Sequence, residues 1–240
     1  MSWKILVVDD DVDTCANLSD ILTDFGHEVR TASNGPDALR QAREQRFDVV
    51  LLDLRMPGMN GLELSRELKR LAPTMVAIMI TGYADPETEQ QASQMGVWRV
   101  LSKPVNIDRL MPLVQQAAQQ PVLLLVDDDA DFCASLHDVL GQRDCRVAFA
   151  HSCAEALTQM HAQRFQAVII DWQLPDCDGL RLLQQLRDEQ PNLQAVLITG
   201  HRQELNSSLD VTAMTQAGVL FYKPLDVEPL LETLRRLLSC

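Results

Sequence analysis

The 240-residue chain is short of positive charge, with 21 Lys+Arg against 34 Asp+Glu and a net charge of −13. That balance excludes a surface built for nucleic acid or for an anionic membrane, since both need basic patches. The deficit is shared rather than confined to a tail: residues 1–120 hold 12 basic against 17 acidic residues, and residues 121–240 hold 9 against 17. Long apolar runs are also missing. The longest, Met75 to Ile80, is far below the ~20 residues that span a bilayer. The N-terminus enters a strand pattern at once, without the charged region and apolar stretch of a signal peptide. The six cysteines, Cys15, Cys133, Cys145, Cys153, Cys177 and Cys240, form no C-x-x-C pair, and no His stands at zinc-finger spacing, which argues against a metal-thiolate site. Reduced thiols in a cytosolic protein are the simple reading, and Cys177 reads as a loop thiol rather than a redox handle. Lysine is nearly absent from the second half, where Lys223 stands alone beside eight arginines.

What is present centres on Val49-Val50-Leu51-Leu52-Asp53, followed by a break at Pro57-Gly58. Four apolar residues in a row predict a strand buried on both faces, as in a parallel sheet. Asp53 ends that strand, at the edge where open α/β sheets bind ligands. The same text recurs at Ala167-Val168-Ile169-Ile170-Asp171. Val7-Val8-Asp9-Asp10-Asp11 likewise returns as Leu125-Val126-Asp127-Asp128-Asp129, displaced by 118 residues. Thr81-Gly82 to Thr199-Gly200 and Cys15 to Cys133 keep that displacement, while Lys103-Pro104 to Lys223-Pro224 is displaced by 120, so two residues are inserted after the threonine. Self-similarity on this scale means two copies of one domain, 1–119 and 120–240.

Each copy alternates short apolar runs with amphipathic stretches. In the first, strands are predicted near Trp3–Val8, Glu28–Thr31, Asp48–Leu52, Met75–Ile80 and Trp98–Leu101, and helices near Val12–Phe25, Gly35–Gln45, Gly61–Leu71, Pro86–Met95 and Ile107–Ala118. In the second, strands are predicted near Val122–Val126, Arg146–Phe149, Ala167–Ile170, Gln194–Ile198 and Val219–Tyr222, with a last helix at Val227–Leu238. Such alternation implies a doubly wound parallel sheet with helices on both faces, joined by right-handed crossovers. Gly26 and Gly96 fall where helix ends favour glycine. Pro112, about one turn inside its helix, should cost a hydrogen bond or a kink. Pro121 ends the first copy's final helix, which leaves a short linker and limited freedom between domains.

This topology gathers Asp9, Asp10, Asp53, Thr81 and Lys103 at one sheet edge, and Asp127, Asp128, Asp171, Thr199 and Lys223 at another. Two carboxylates ~4 Å apart repel by about 4 kcal/mol at an effective dielectric of 20. Three at one edge need a cation or a held proton. Oxygen ligands without His or Cys select Mg²⁺ or a similar ion such as Mn²⁺, and the lysine adds a fixed positive charge. A cation, an ammonium and a hydroxyl grouped about one carboxylate suit phosphoryl transfer onto that carboxylate. Each signal has a plainer reading alone: the Asp-Asp pairs as helix N-caps, the Thr-Gly and Lys-Pro pairs as strand-end turns. Their joint recurrence at matching spacing carries the functional reading.

Val-Asp-Asp, an Asp 44 residues on, Thr-Gly 28 further and then Lys-Pro together resemble the receiver domain of two-component response regulators. Both halves resemble it over nearly their whole length. The resemblance implies two tandem (βα)5 flavodoxin-like domains of the chemotaxis-regulator type. It implies Asp53 and Asp171 as phosphoacceptors. Asp10 and Asp128 would bind Mg²⁺ directly, Asp9 and Asp127 would assist, Asp53 and Asp171 would also be ligands, and the carbonyls of Arg55 and Gln173 would complete the set. Thr81 and Thr199 would contact the phosphoryl group and Lys103 and Lys223 would pair with it. A cis peptide would fall at Lys103-Pro104 and Lys223-Pro224.

Two departures from the family stand out. The aromatic often found three residues before the lysine is Val100 in one copy and Leu220 in the other, which puts a threonine–aromatic switch in doubt. Arg55 with Tyr83, and Gln173 with His201, occupy positions that influence phosphoryl lifetime in the family, and they differ between copies. The resemblance further implies a cytoplasmic signalling protein rather than an enzyme with its own substrate. Its donor would be a sensor histidine kinase or a histidine phosphotransfer protein, docking near Val12–Phe25 or Ala130–Leu140, and its output would pass through a downstream protein, through relay or through a homodimer. After Val227–Leu238 no stretch is left for a helix-turn-helix, kinase or cyclase. A receiver-fold scaffold or dimerisation module that works unphosphorylated is the alternative. A dehalogenase-type hydrolase wants a second Asp two residues after the first, where Arg55 and Gln173 stand, and is set aside.

Overall fold

Every residue of the strand β3, Val49–Asp53, is buried in the computed structural model, because the strand lies in the middle of a five-stranded parallel sheet covered on both faces. The structure describes residues 2–82, 84–141, 143–200 and 218–238; Tyr83 and His201 lie outside them, as does much of the stretch after Thr199 that carries the insertion. The chain divides into two compact units, Met1–Gln120 and Pro121–Cys240.

The first unit runs β1 Lys4–Val8, α1 Val12–Asp24, β2 Glu28–Ala32, α2 Gly35–Glu44, β3, α3 Gly61–Leu71, β4 Val76–Thr81, α4 Pro86–Gln94, β5 Val97–Ser102 and α5 Ile107–Gln119. The second runs β6 Val122–Val126, α6 Ala130–Gly141, β7 Arg146–Ala150, α7 Cys153–Ala162, β8 Ala167–Asp171, α8 Gly179–Glu189, β9 Gln194–Thr199, β10 Val219–Tyr222 and α9 Val227–Leu238. The sheet orders are β2-β1-β3-β4-β5 and β7-β6-β8-β9-β10. In each, the strand order reverses beside the first strand, which puts the ligand crevice at that strand's C-terminal end.

Strand alternation divides the core into two layers. Ile5, Val7, Leu51, Ile78 and Ile80 pack on Cys15, Leu18 and Leu22 of α1 and on Leu110 and Val114 of α5. Leu6, Val8, Val50 and Leu52 face the other way, onto Ala38 of α2 and Leu64 and Leu68 of α3. The second unit repeats both layers around Leu125 and Ile169 on one face and Leu124 and Ile170 on the other. Burying each such aliphatic side chain stabilises the fold by about 1.5–3 kcal/mol, which is why the central strands β1 and β3 are apolar on both faces over residues 5–8 and 49–52, whereas the edge strand β2 carries exposed Glu28, Arg30 and Thr31.

Pro112 lies inside α5, and the helix continues past it to Gln119; the cost is the missing N–H rather than the end of the helix. Lys103-Pro104 and Lys223-Pro224 are both cis. One expectation is overturned. Cys153 and Cys177 form a disulfide, while Cys15, Cys133 and Cys145 are free. Cys177 is therefore not a lone loop thiol. The fold brings the start of α7 against the loop after β8, a contact between residues 24 apart in sequence that no local spacing announces.

Candidate functional site

Parallel register levels the strand ends. Val8 pairs with Leu52, Asp53 with Ile80, and Thr81 with Ser102. Asp9 leaves β1 beside Asp53, and both are buried, at 4% and 7% exposure. Lys103 crosses from the end of β5 to meet them: its Nζ lies 2.8 Å from Asp9 Oδ2 and 2.6 Å from Asp53 Oδ1. The other oxygens are held by backbone. Asp9 Oδ1 accepts from Asp11 N at 2.9 Å, and Asp53 Oδ2 from Arg55 N at 2.6 Å. Thr81 is buried beneath, and its carbonyl accepts from Lys103 N at 2.8 Å, which fixes the base of the lysine.

The second edge repeats this almost atom for atom. Lys223 Nζ lies 2.7 Å from Asp127 Oδ2 and 2.5 Å from Asp171 Oδ2. Asp127 Oδ1 accepts from Asp129 N, Asp171 Oδ1 from Gln173 N, and the Thr199 carbonyl from Lys223 N. This edge is the more enclosed. Phe132 lies under Lys223, with the ammonium 4.5 Å from the ring centroid, where the first copy has Thr14. His151 Nδ1 lies 3.0 Å from the Asp127 carbonyl.

Burial works against the Lys103 ammonium, but its hydrogen bonds to Asp53 and Asp9 outweigh that, and its pKa is raised; Lys223 is raised for the same reasons by Asp127 and Asp171. Both lysines are charged at neutral pH. Burial holds the Asp127 carboxyl above the usual carboxylate range against the Lys223 hydrogen bond.

The Asp triplets divide their labour. Asp11, not Asp9 or Asp10, caps α1, accepting from Asp13 N and Thr14 N. Asp129 does the same through Asp131 N and Phe132 N. The middle residues, Asp10 and Asp128, stand exposed beside the buried pair. The caps release Asp9 and Asp127 to turn inward. Sequence reading missed this division, although a third Asp before each helix was the signal for it.

It also missed two glycines. A Cβ on Gly61 would lie 2.2 Å from the Asp53 carbonyl oxygen, and one on Gly179 would lie 2.5 Å from that of Asp171. The first turns of α3 and α8 press on the backbone of the acidic residue itself, and only glycine fits there.

The donors at each edge are oxygens alone, the chemistry of Mg²⁺ or Mn²⁺. They do not close into a cage. Among the described residues, Cys153, Asp176 and Cys177 are the one group of three or more His, Cys, Asp or Glu whose ligand atoms lie within 4.8 Å of one another. A lysine separates the two buried carboxylates instead. That spread suits an ion held by one or two carboxylates with water completing its shell. A buried carboxylate flanked by an ammonium, a hydroxyl residue and an exposed second carboxylate is chemically equipped to take an electrophilic phosphoryl group.

The sequence profile of the response regulator receiver domain matches residues 5–115 and 123–235. A response regulator receiver protein of Anaeromyxobacter sp. (strain Fw109-5) is 34% identical over 237 residues, 98% of this chain and 94% of its own. The transcriptional regulatory protein ZraR of Escherichia coli (strain K12) is 40% identical over 113 residues, which cover 47% of this chain and only 26% of that protein. Among solved structures, the chemotaxis protein CheY4 of Vibrio cholerae aligns with a TM-score of 0.47 at 33% identity, over 49% of this chain and 99% of its own.

Proposed function

The chain belongs to the response regulator receiver family and carries two copies of its domain, and from that premise we propose that Asp53 and Asp171 each accept a phosphoryl group. The observation that carries this is the bridge Asp9–Lys103–Asp53, repeated as Asp127–Lys223–Asp171. The donor is a phosphohistidine on a sensor histidine kinase or a histidine phosphotransfer protein. An aspartate oxygen attacks phosphorus, the P–N bond breaks, and the imidazole leaves with a proton. The product is an acyl phosphate on the domain.

The chain's residues position and neutralise. Lys103 and Lys223 hold the acceptor carboxylate and supply positive charge for the incoming group. The amides of Arg55 and Gln173 orient the acceptor through one oxygen. Thr81 and Thr199 lie at the neighbouring strand end to contact the phosphoryl oxygens. Asp10 and Asp128, with Asp9 and Asp127, Asp53 and Asp171 and the carbonyls of Arg55 and Gln173, would hold Mg²⁺ or Mn²⁺, which would supply neutralising charge for phosphoryl oxygens. This reading makes the protein a cytoplasmic phosphoacceptor in signalling, whose only catalysis is its own phosphorylation and dephosphorylation. Output passes to a downstream protein or onward by relay.

The test is incubation of the full chain with acetyl phosphate and Mg²⁺, followed by intact-mass analysis. Two phosphoryl additions are expected. Asp53→Asn and Asp171→Asn should each remove one. A double variant that gains phosphate at the wild-type rate overturns the assignment.

A further inference from the structure

Cys153 is the first residue of α7, and Cys177 lies in the loop leaving β8, six residues after Asp171. Their disulfide ties that loop to α7. Asp176 ties it again: its two carboxylate oxygens accept from Cys153 N at 2.8 Å and Ala154 N at 3.1 Å. The same loop carries Gln173, whose amide holds Asp171 Oδ1 at 2.9 Å and which bridges to Asp178.

The first copy provides an internal comparison. Shifted by 118 residues, Cys153, Asp176 and Cys177 become Gly35, Gly58 and Met59. The contact between the two elements survives there without a bond: a Cβ on Gly35 would lie 2.7 Å from Met59 Sδ. Gly58 takes a positive φ of 83° and offers no carboxylate. Both domains bring the same two elements together, and only the second joins them by a bond that can be made and broken.

We propose that Cys153 and Cys177 form a thiol–disulfide exchange site that controls how firmly the Asp171 loop is held, so that the second receiver, and not the first, responds to a dithiol reductant. The inference rests on reading Asp171 as the phosphoacceptor. In a reducing compartment a disulfide is characteristically transient and regulatory. Cys177 is partly exposed and Cys153 is buried, so the reductant's thiolate attacks the Cys177 sulfur. The S–S bond breaks and Cys153 leaves as a thiolate that takes up a proton. The reductant's second thiol then resolves the mixed disulfide. Two electrons and two protons pass to the protein, and the reductant becomes a disulfide.

These three residues also have the spacing of a small metal site. Two observations count against that use: the sulfurs are bonded to each other, and both Asp176 oxygens are occupied by the first amides of α7.

The experiment uses the full chain, oxidised or treated with dithiothreitol, then alkylated and mapped by peptide mass. A Cys153–Cys177 linked peptide is expected in the oxidised form, and both residues alkylated after reduction. Each form is then given acetyl phosphate and Mg²⁺, and phosphate is counted at Asp53 and Asp171 separately. Reduction should slow phosphorylation of Asp171 by roughly two- to tenfold, the effect of loosening a positioning loop rather than removing it. Asp53 should not change. Cys153→Ser and Cys177→Ser should each be fixed at the reduced rate and indifferent to dithiothreitol. Equal Asp171 rates in the two forms, or a matching change at Asp53, overturn the proposal. So does failure to form the linked peptide, including the case where the reduced chain instead binds Zn²⁺ and loses it in Cys177→Ser. Should neither aspartate take phosphate, the receiver chemistry fails separately. The exchange site is then decided by hydrogen exchange at residues 172–178, which must quicken on reduction in the wild type and be insensitive to it in Cys177→Ser.

Discussion

The Lys223 ammonium lies 2.5 Å from the Asp171 carboxylate. The same nitrogen reaches Asp127, so one cation stands between two buried anions. Lys223→Ala leaves those anions facing each other. Without Mg²⁺, the second domain should lose about 3 kcal/mol, the scale for stripping one partner from a buried ion pair. Mg²⁺ should restore more stability to the variant than to the wild type. Phosphorylation of Asp171 should fall about 10²-fold, as for removal of one preorganised donor to a transition state, with Asp53 unaffected. Urea unfolding with and without Mg²⁺ checks this. A variant as stable as the wild type, with the same Mg²⁺ response, would show that the lysine is not the counter-charge.

The contact of Gly179 with the Asp171 carbonyl, and of Gly61 with that of Asp53, makes a second prediction. An added methyl would sit 2.5 Å or 2.2 Å from the backbone oxygen of a buried strand's last residue. Gly61→Ala and Gly179→Ala should each destabilise their domain by about 2 kcal/mol, as overpacking does, and slow phosphorylation in that domain alone. Gly82→Ala is the control, because nothing lies within 4 Å of its added Cβ; it should stay within about 0.5 kcal/mol of wild type. Thermal melts of the three variants decide the matter.

How far the sequence revealed this follows from which contacts are local. The strands ending in Asp53 and Asp171 were legible because double-sided burial writes an unbroken apolar run. The convergence of Asp9, Asp53 and Lys103 was legible because parallel topology puts every strand's C-terminus at one edge. Helix starts at Gly35, Gly61 and Ile107 were met to the residue; the first two are marked locally by the caps Asn34 and Asn60, the third by its apolar periodicity, since Asn106 makes no side-chain cap. The allocation of roles within Asp9-Asp10-Asp11 was not legible: three identical side chains differ only in which way the backbone turns. The Cys153–Cys177 bond was hidden for a different reason. It depends on the start of α7 meeting the loop after β8, and neither cysteine has a near neighbour in sequence to mark it.

That allocation is itself testable. Asp129 accepts from Asp131 N and Phe132 N at 3.0 Å each, which makes it the N-cap of α6. Asp129→Ala should cost about 1 kcal/mol and leave phosphorylation of Asp171 within a few-fold of wild type. Asp127→Ala, which frees Lys223 from one of its two anions, should damage phosphorylation far more than stability measured with Mg²⁺ present. Equal effects of the two substitutions on phosphorylation would mean that the caps and the site are not separate.

Cys145 allows a prediction with a definite sign. It lines a hollow with Pro121, Leu231, Leu234 and Leu238, and burial pushes its thiol up to about 11, with the nearby Asp144 carboxylate adding to the shift. Only the thiolate is nucleophilic, and a free cysteine titrates near pH ~8.5. In the folded protein at pH 8, Cys145 should react with iodoacetamide roughly two-hundredfold more slowly than the same residue in urea, as its thiolate fraction dictates. The folded rate should rise close to tenfold per pH unit and level off only near pH 11. Because the folded pKa lies above the unfolded one, the neutral thiol favours the native state at neutral pH, and that contribution fades as pH climbs through the folded value. Peptide-resolved alkylation between pH 7 and 10 measures it directly: a plateau below pH 9 would mean that the thiol is in contact with water rather than packed among the leucines of α9.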